Sequence, residues 1–162
     1  MDMDALKITT FQAYLFWENI DKNLSNLSLR LSAIREKTDL IILPEMFNTG
    51  FTMNVEKCAE KPDGKTMHWM LETAQKYDCV VAGSLIIEED GHYFNRFVWM
   101  TKEGDYIKYD KRHLFGMSGE DKVFTPGSQR VVVELNGWKI CPMICYDLQF
   151  PVWSRNLNHA YD

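Results

Sequence analysis

Apolar and polar positions change period several times along this chain, and each change marks an element. Residues 6–13, LKITTFQA, alternate with period two and predict a first strand. Ile20, Leu24, Leu27, Leu31 and Ile34 then recur at steps of four and three, one apolar stripe along a helix. Residues 39–43, DLIIL, form a short apolar run between a charge and a proline, the pattern of a strand buried on both faces. After Pro62-Asp63-Gly64 a second helical stripe runs through Met67, Met70, Leu71, Ala74 and Tyr77, its methionines reading as core filler. Residues 79–87, CVVAGSLII, predict another buried strand.

The pattern then turns to hairpins. Residues 93–100 and 105–109 flank Thr101-Lys102-Glu103-Gly104, and residues 130–135 and 138–144 flank Asn136-Gly137, a strong short hairpin signal. Pro151 suits the first turn of a helix. The order β-α-β-α-β followed by hairpins predicts an α/β protein with a mixed sheet and helices on one face, leaving the other face to be covered. No repeat, low-complexity tract or linker divides residues 1–162, which read as a single domain.

Composition narrows the function classes. With 46% hydrophobic and 25% charged residues, the chain resembles an ordinary globular protein. A net charge of -5 and the absence of a basic run argue against nucleic acid or an anionic membrane as partner. The start, MDMDALKITTF, has no basic and apolar leader pattern, and no stretch reaches transmembrane length, so a cytoplasmic location is expected. Cys58, Cys79, Cys141 and Cys145 read as reduced thiols. Cys141-x-x-x-Cys145 is not CxxC spacing and the four histidines are scattered, so no metal site is expected.

Three polar residues stand at element ends. Glu45 follows DLIIL and a proline; alone it reads as a partly solvated loop glutamate, or as a general base near apolar walls. Lys111 opens a stretch of about 18 residues, too long for an ordinary connection and too apolar for disorder. Alone it belongs to a solvated basic cluster with Lys108 and Arg112; functionally it is a fixed charge beside a developing oxyanion, with Glu120 in the same loop to orient it or the substrate. Cys145 ends an apolar run and is followed by a turn and a helix start. Alone it is a small buried hydrophobe. Functionally it is a nucleophile whose thiol a helix start and a lysine would acidify, with backbone N–H groups beyond the turn facing an oxyanion. A carboxylate, an ammonium and a thiol at three strand ends fit the way α/β sheets gather ligands.

These residues lie in IILPEMFNTGF, KYDKRHLFGMSGEDKVFTPG and ICYDLQFPVWSRN, and the three segments resemble the signature blocks of the nitrilase superfamily of carbon–nitrogen hydrolases. FNTGF, HLFGMSGED and CYDLQFPVWSRN are similar to its omega-amidase-like branch. The resemblance implies an α-β-β-α sandwich, a Glu45-Lys111-Cys145 triad, a supporting Glu120, and the Tyr146 backbone N–H as oxyanion donor. It further implies homo-oligomers, no cofactor, and a small omega-amide such as 2-oxoglutaramate as substrate. Phe47 and Phe51 are candidates to wall the substrate pocket, and equally to belong to the core. Gln149 stands where the resemblance leads one to expect arginine.

Members of the superfamily run to about 250 residues in one domain. The resemblance therefore implies that residues 1–162 cover its amino-terminal part, with apolar sheet surface left exposed. Two other functions fit the residues less fully: a non-catalytic fragment that binds through such surface, and a dithiol redox protein using Cys141 and Cys145.

Overall fold

The computed structural model describes residues 5–162; positions 1–4, part of the stretch searched for a leader, lie outside the described residues. The first half alternates β1 (Ile8–Thr10), α1 (Ile20–Leu31), β2 (Leu40–Ile42), α2 (Val55–Cys58), α3 (Lys65–Tyr77) and β3 (Val80–Glu89). Then follow β4 (His92–Met100), β5 (Tyr106–Asp110), α4 (Glu120–Val123), β6 (Val133–Leu135), β7 (Trp138–Ile140) and α5 (Pro151–Ser154). Five strands form one sheet in the order β1-β2-β3-β4-β5. The first three are parallel, and β3, β4 and β5 pair antiparallel, so the sheet is mixed as expected.

The alternation of side chains along the strands divides the core in two. On one face Ile41, Leu43, Val81, Leu85, Val98 and Met100 meet the stripes of α1 (Leu24, Leu27, Leu31) and α3 (Met67, Met70, Ala74). On the other face Leu40, Val80, Ala82 and Trp99 meet Val133, with Leu135 and Ile140, from the β6–β7 hairpin. The hairpin thus covers part of the face that the sequence left open. β3 is buried along eight successive residues, as a strand sandwiched on both sides must be.

Local chemistry explains the boundaries. Asn19 caps α1 by accepting a hydrogen bond from Lys22 N at 3.0 Å. The β6–β7 turn takes φ of 51° at Asn136 and 85° at Gly137, the left-handed pair a two-residue hairpin needs. β7 is shorter than the expected 138–144 run. Pro142 has no N–H for a ladder, and pairing ends at Ile140. Residues 141–144 then lead, irregular, to the Cys145 turn.

Candidate active site

Glu45 leaves the carboxyl end of β2 in a tight turn fixed against β3. Leu43 N donates to Ala82 O at 2.7 Å, Met46 N to Ser84 Oγ at 2.9 Å, and Phe47 N to Ser84 O at 3.1 Å. Met46 adopts φ of 47°, a left-handed conformation unusual for its type. Strain there is overruled by three hydrogen bonds and by the complete burial of the Met46 side chain.

Lys111 follows β5 directly. Its N–H donates to Asn95 O at 3.0 Å, and its carbonyl accepts from Gly127 N at 2.9 Å. The long segment between them is therefore a closed loop, tied a second time by Thr125 N donating to Tyr93 O at 2.7 Å. Gly127 is required there, because a Cβ would lie 2.0 Å from Asp110 O. Within the loop α4 presents Glu120, which is fully buried.

Cys145 begins a single 3-10 turn over Cys145–Gln149, and its own φ is 44°. The residue is exposed, so it is not the small buried hydrophobe of the plain reading. Its turn is held by Asp147, a fully buried carboxylate. Asp147 accepts from Ile144 N (3.1 Å), Tyr109 Oη (2.6 Å), His113 N (2.9 Å) and His113 Nδ1 (2.9 Å). The His113 ring also stacks on Phe150 at 3.7 Å. One side chain therefore joins the cysteine turn to the lysine loop.

The three segments converge. Lys111 Nζ donates to Glu45 Oε1 at 2.7 Å and to Glu120 Oε2 at 2.9 Å, with a longer contact of 3.2 Å to Glu120 Oε1. Phe115 N donates to Glu120 Oε2 at 2.6 Å. Asn95 Nδ2 donates to both carboxylates, to Glu45 Oε1 at 2.8 Å and Glu120 Oε1 at 2.9 Å. Asn95 Oδ1 is buried without a hydrogen-bond partner among the described residues, which costs about 1–3 kcal/mol. The reverse orientation of the amide would set that oxygen against two carboxylate oxygens, so the donor side is fixed between them.

Electrostatics differ from the expectation in one respect. Burial disfavours the Lys111 ammonium, but Glu45 and Glu120 more than reverse this and hold its pKa above the ordinary lysine value. The Cys145 thiol, expected to be acidified, is instead raised. Partial burial is the first cause and the Glu45 charge the second; Lys111 pulls the other way and loses. The helical turn that follows is too short to contribute a sizeable dipole. The thiol therefore holds its proton more firmly than a free cysteine, and Glu45, which lines the same cleft, is the proton acceptor at hand.

Glu45 and Cys145 share a cleft of about 130 Å³ walled by Ile42, Phe97 and Met143. A larger cavity, about 360 Å³, lies at the opposite end of the sheet around Asp39, Cys79 and Asn136, away from this chemistry. Phe47 does not wall a pocket. It is fully buried in the helix-side core, packed on Trp69, and Gly83 has no room for a Cβ beside its ring. Phe51 is half-buried, with Lys111 Nζ 5.5 Å from its ring centroid. The Tyr146 ring packs edge-on against Phe115 and Phe150. Gln149 is exposed. Among the described residues no group of three His, Cys, Asp or Glu side chains is placed to hold a metal ion.

Sequence reasoning missed Asn95 and Asp147. The signal for Asn95 was a pair of polar residues, Asn95-Arg96, inside the apolar run of β4. Arg96 is explained by its pairing with Asp110 at 2.6 Å on β5, which leaves Asn95 as the side chain wanting a partner. Asp147 gave no signal apart from its neighbour Cys145.

Comparison with known proteins places the fold. The carbon-nitrogen hydrolase family model matches residues 7–160. Omega-amidase YafV of Escherichia coli is 42% identical over 156 residues, 96% of this chain and 60% of that protein. The 2-oxoglutaramate amidase of Bacillus subtilis is 30% identical over 91% of this chain and 58% of its own length. The crystal structure of XC1258 from Xanthomonas campestris, a CN-hydrolase superfamily protein with an arsenic adduct in its active site, superposes with a TM-score of 0.91. It is 37% identical, over 95% of this chain and 58% of that one. The chain thus spans about 60% of the length of each of these three relatives. Its fold, its family match and its relatives agree, and the chain belongs to the carbon–nitrogen hydrolase family.

Proposed function

We propose that this chain carries the catalytic residues of an amidase that hydrolyses a small omega-amide through a cysteine thioester. The observation that carries this reading is one cleft lined by a thiol, Cys145, and a carboxylate, Glu45, that is itself bonded to a buried lysine. Glu45 accepts the thiol proton as sulfur attacks the amide carbonyl carbon. The carbonyl oxygen takes up negative charge next to the Lys111 ammonium and the Tyr146 backbone N–H. Collapse breaks the C–N bond; Glu45 returns the proton to the departing nitrogen, which leaves as ammonia. Water, deprotonated by Glu45, attacks the thioester, and the acid leaves as the thiol reforms. Glu120 keeps Lys111 in place and charged.

A 2-oxo acid omega-amide such as 2-oxoglutaramate is the substrate class this reading favours, on the likeness to omega-amidase YafV and the 2-oxoglutaramate amidase. Phe51, beside Lys111, is the remaining candidate from the sequence for a pocket wall. The reading places the enzyme in the cytoplasm, as a homo-oligomer acting without a cofactor.

The test is ammonia release from 2-oxoglutaramate by this chain. Release that disappears in Cys145→Ala supports the reading. Glu45→Gln and Lys111→Ala should each lose at least about 1,000-fold, since such groups act as a unit. Cys141→Ser should keep its rate, where a dithiol mechanism would lose it. Activity retained by Cys145→Ala would remove the nucleophile assignment. A second reading, a binding module, draws on the exposure of Leu148 and Val152 next to the cysteine turn, and ligand binding without turnover would favour it.

A further inference from the structure

We propose that Asn95 is a positioning residue for Glu45, holding Oε1 so that Oε2 is left as the atom that exchanges protons with Cys145. The inference rests on the amidase reading of Glu45 as the base. Both nitrogen donors that reach Glu45, Lys111 Nζ and Asn95 Nδ2, converge on the same oxygen, at 2.7 and 2.8 Å. They approach from two different elements, so the carboxyl group is fixed in rotation as well as in place. Asn95 Nδ2 has two hydrogens, and each is committed to a different carboxylate, Glu45 and Glu120. The Asn95 backbone carbonyl meanwhile receives Lys111 N. One residue of β4 thereby sets the spacing of both acids and the lysine.

Three features mark this as more than a filled core position. Asn95 is 1% exposed, and its carbonyl oxygen is unpaired among the described residues. A leucine would fill the same space without that unpaired oxygen. A lysine alone would neutralise the carboxylates but could not fix their separation, because an ammonium accepts any geometry around it. A planar amide with two donors in fixed directions defines one.

The experiment compares the full chain with Asn95→Leu, Glu45→Gln and the double variant. It reads kcat and KM for 2-oxoglutaramate, and the pH dependence of Cys145 alkylation by iodoacetamide, resolved by peptide mass. The expected result for Asn95→Leu is a fall in kcat of about 100-fold, the scale of a small misplacement of a reacting group. KM should change by no more than about threefold, since no substrate contact is removed. The midpoint of alkylation should move in the same direction as in Glu45→Gln. In the Glu45→Gln background, Asn95→Leu should cause no further loss, because its effect passes through Glu45. Wild-type kcat and an unmoved alkylation midpoint in Asn95→Leu would overturn the proposal, as would a full additional loss in the double variant. If the parent chain releases no ammonia, this chain by itself is not an active amidase, and the alkylation profiles alone decide the positioning role. If Asn95→Leu does not fold, Asn95→Ala, which removes both donors without adding a charge, is judged by the same criteria.

Discussion

Among the described residues Lys111 is the one positive charge between two carboxylates, and the balance is fragile. Its side chain is wholly buried, as is Glu120, while Glu45 is about one-fifth exposed. Replacing Lys111 with methionine keeps the volume and removes the charge. Among the described residues, Glu120 is then a buried anion held only by Asn95 and the Phe115 N–H. Removing one partner of such a pair costs about 3–5 kcal/mol, so the urea midpoint of Lys111→Met should fall accordingly. Adding Glu120→Gln to that variant should recover part of the loss, because the stranded charge goes with it. Full stability in Lys111→Met would mean that the cluster is not coupled as the distances indicate. At this scale most of the candidate site was legible. Glu45, Lys111 and Cys145 each break an apolar pattern at an element end, and a polar residue there demands a reason. Asn95 was harder to see, because alternating strands carry polar residues routinely and only the folded sheet shows which face they meet.

Asp147 works between elements. It joins the cysteine turn to β5 and the lysine loop through four hydrogen bonds, and Tyr109 Oη in turn accepts from Trp153 Nε1 at 3.1 Å in α5. Burial and the Asp147 carboxylate push the Tyr109 phenol well above its usual pKa, so the bond stays in place across ordinary pH. Asp147→Ala should destabilise the chain by about 3 kcal/mol, the range for losing hydrogen bonds to a charged acceptor. Hydrogen exchange should speed at His113 N and Ile144 N more than in β3. Unchanged protection at His113 would separate the two loops and contradict this role. The elements themselves were legible in uneven measure. Asn136-Gly137 announced its hairpin. Asp90-Gly91, with φ of 52° and 77°, is the same kind of signal and joins the two longest strands, yet the apolar run appeared to stop at Ile87. Glu88 and Glu89 conceal it: they continue β3 as charged residues, paired with Lys61 and with Lys108 and Arg96. The over-long β7 has the opposite cause, a proline read through as if it could pair.

Over the whole molecule, one sheet separates a helix-covered core from a hairpin-covered one, and Cys79 sits where β3 enters the first of them. Its thiol is pushed up to about 11 from the ordinary 9.0, chiefly by burial and then by the charges of Asp78 and Asp39. This has a consequence for global stability with a definite sign. A group whose pKa is raised by folding holds its proton in the folded state after the unfolded chain has released it. The stabilisation is complete below pH 9 and is lost as pH rises toward about 11, by about 3 kcal/mol for this thiol. Cys58, Cys141 and Cys145 are raised in the same direction, so they add to the alkaline slope. Carboxylates act at the other end. Glu89, drawn down by Lys108 and Arg96, contributes above the ordinary 4.5 and loses its contribution as pH falls further. Unfolding by urea between pH 7 and 11 should therefore show a falling free energy from about pH 9, and Cys79→Ala should flatten that fall. The level of the variant will drop at every pH through lost packing, so the slope is the quantity to compare. An identical slope in Cys79→Ala would show that its thiol ionises alike in both states, and that β3 does not seal this end of the core.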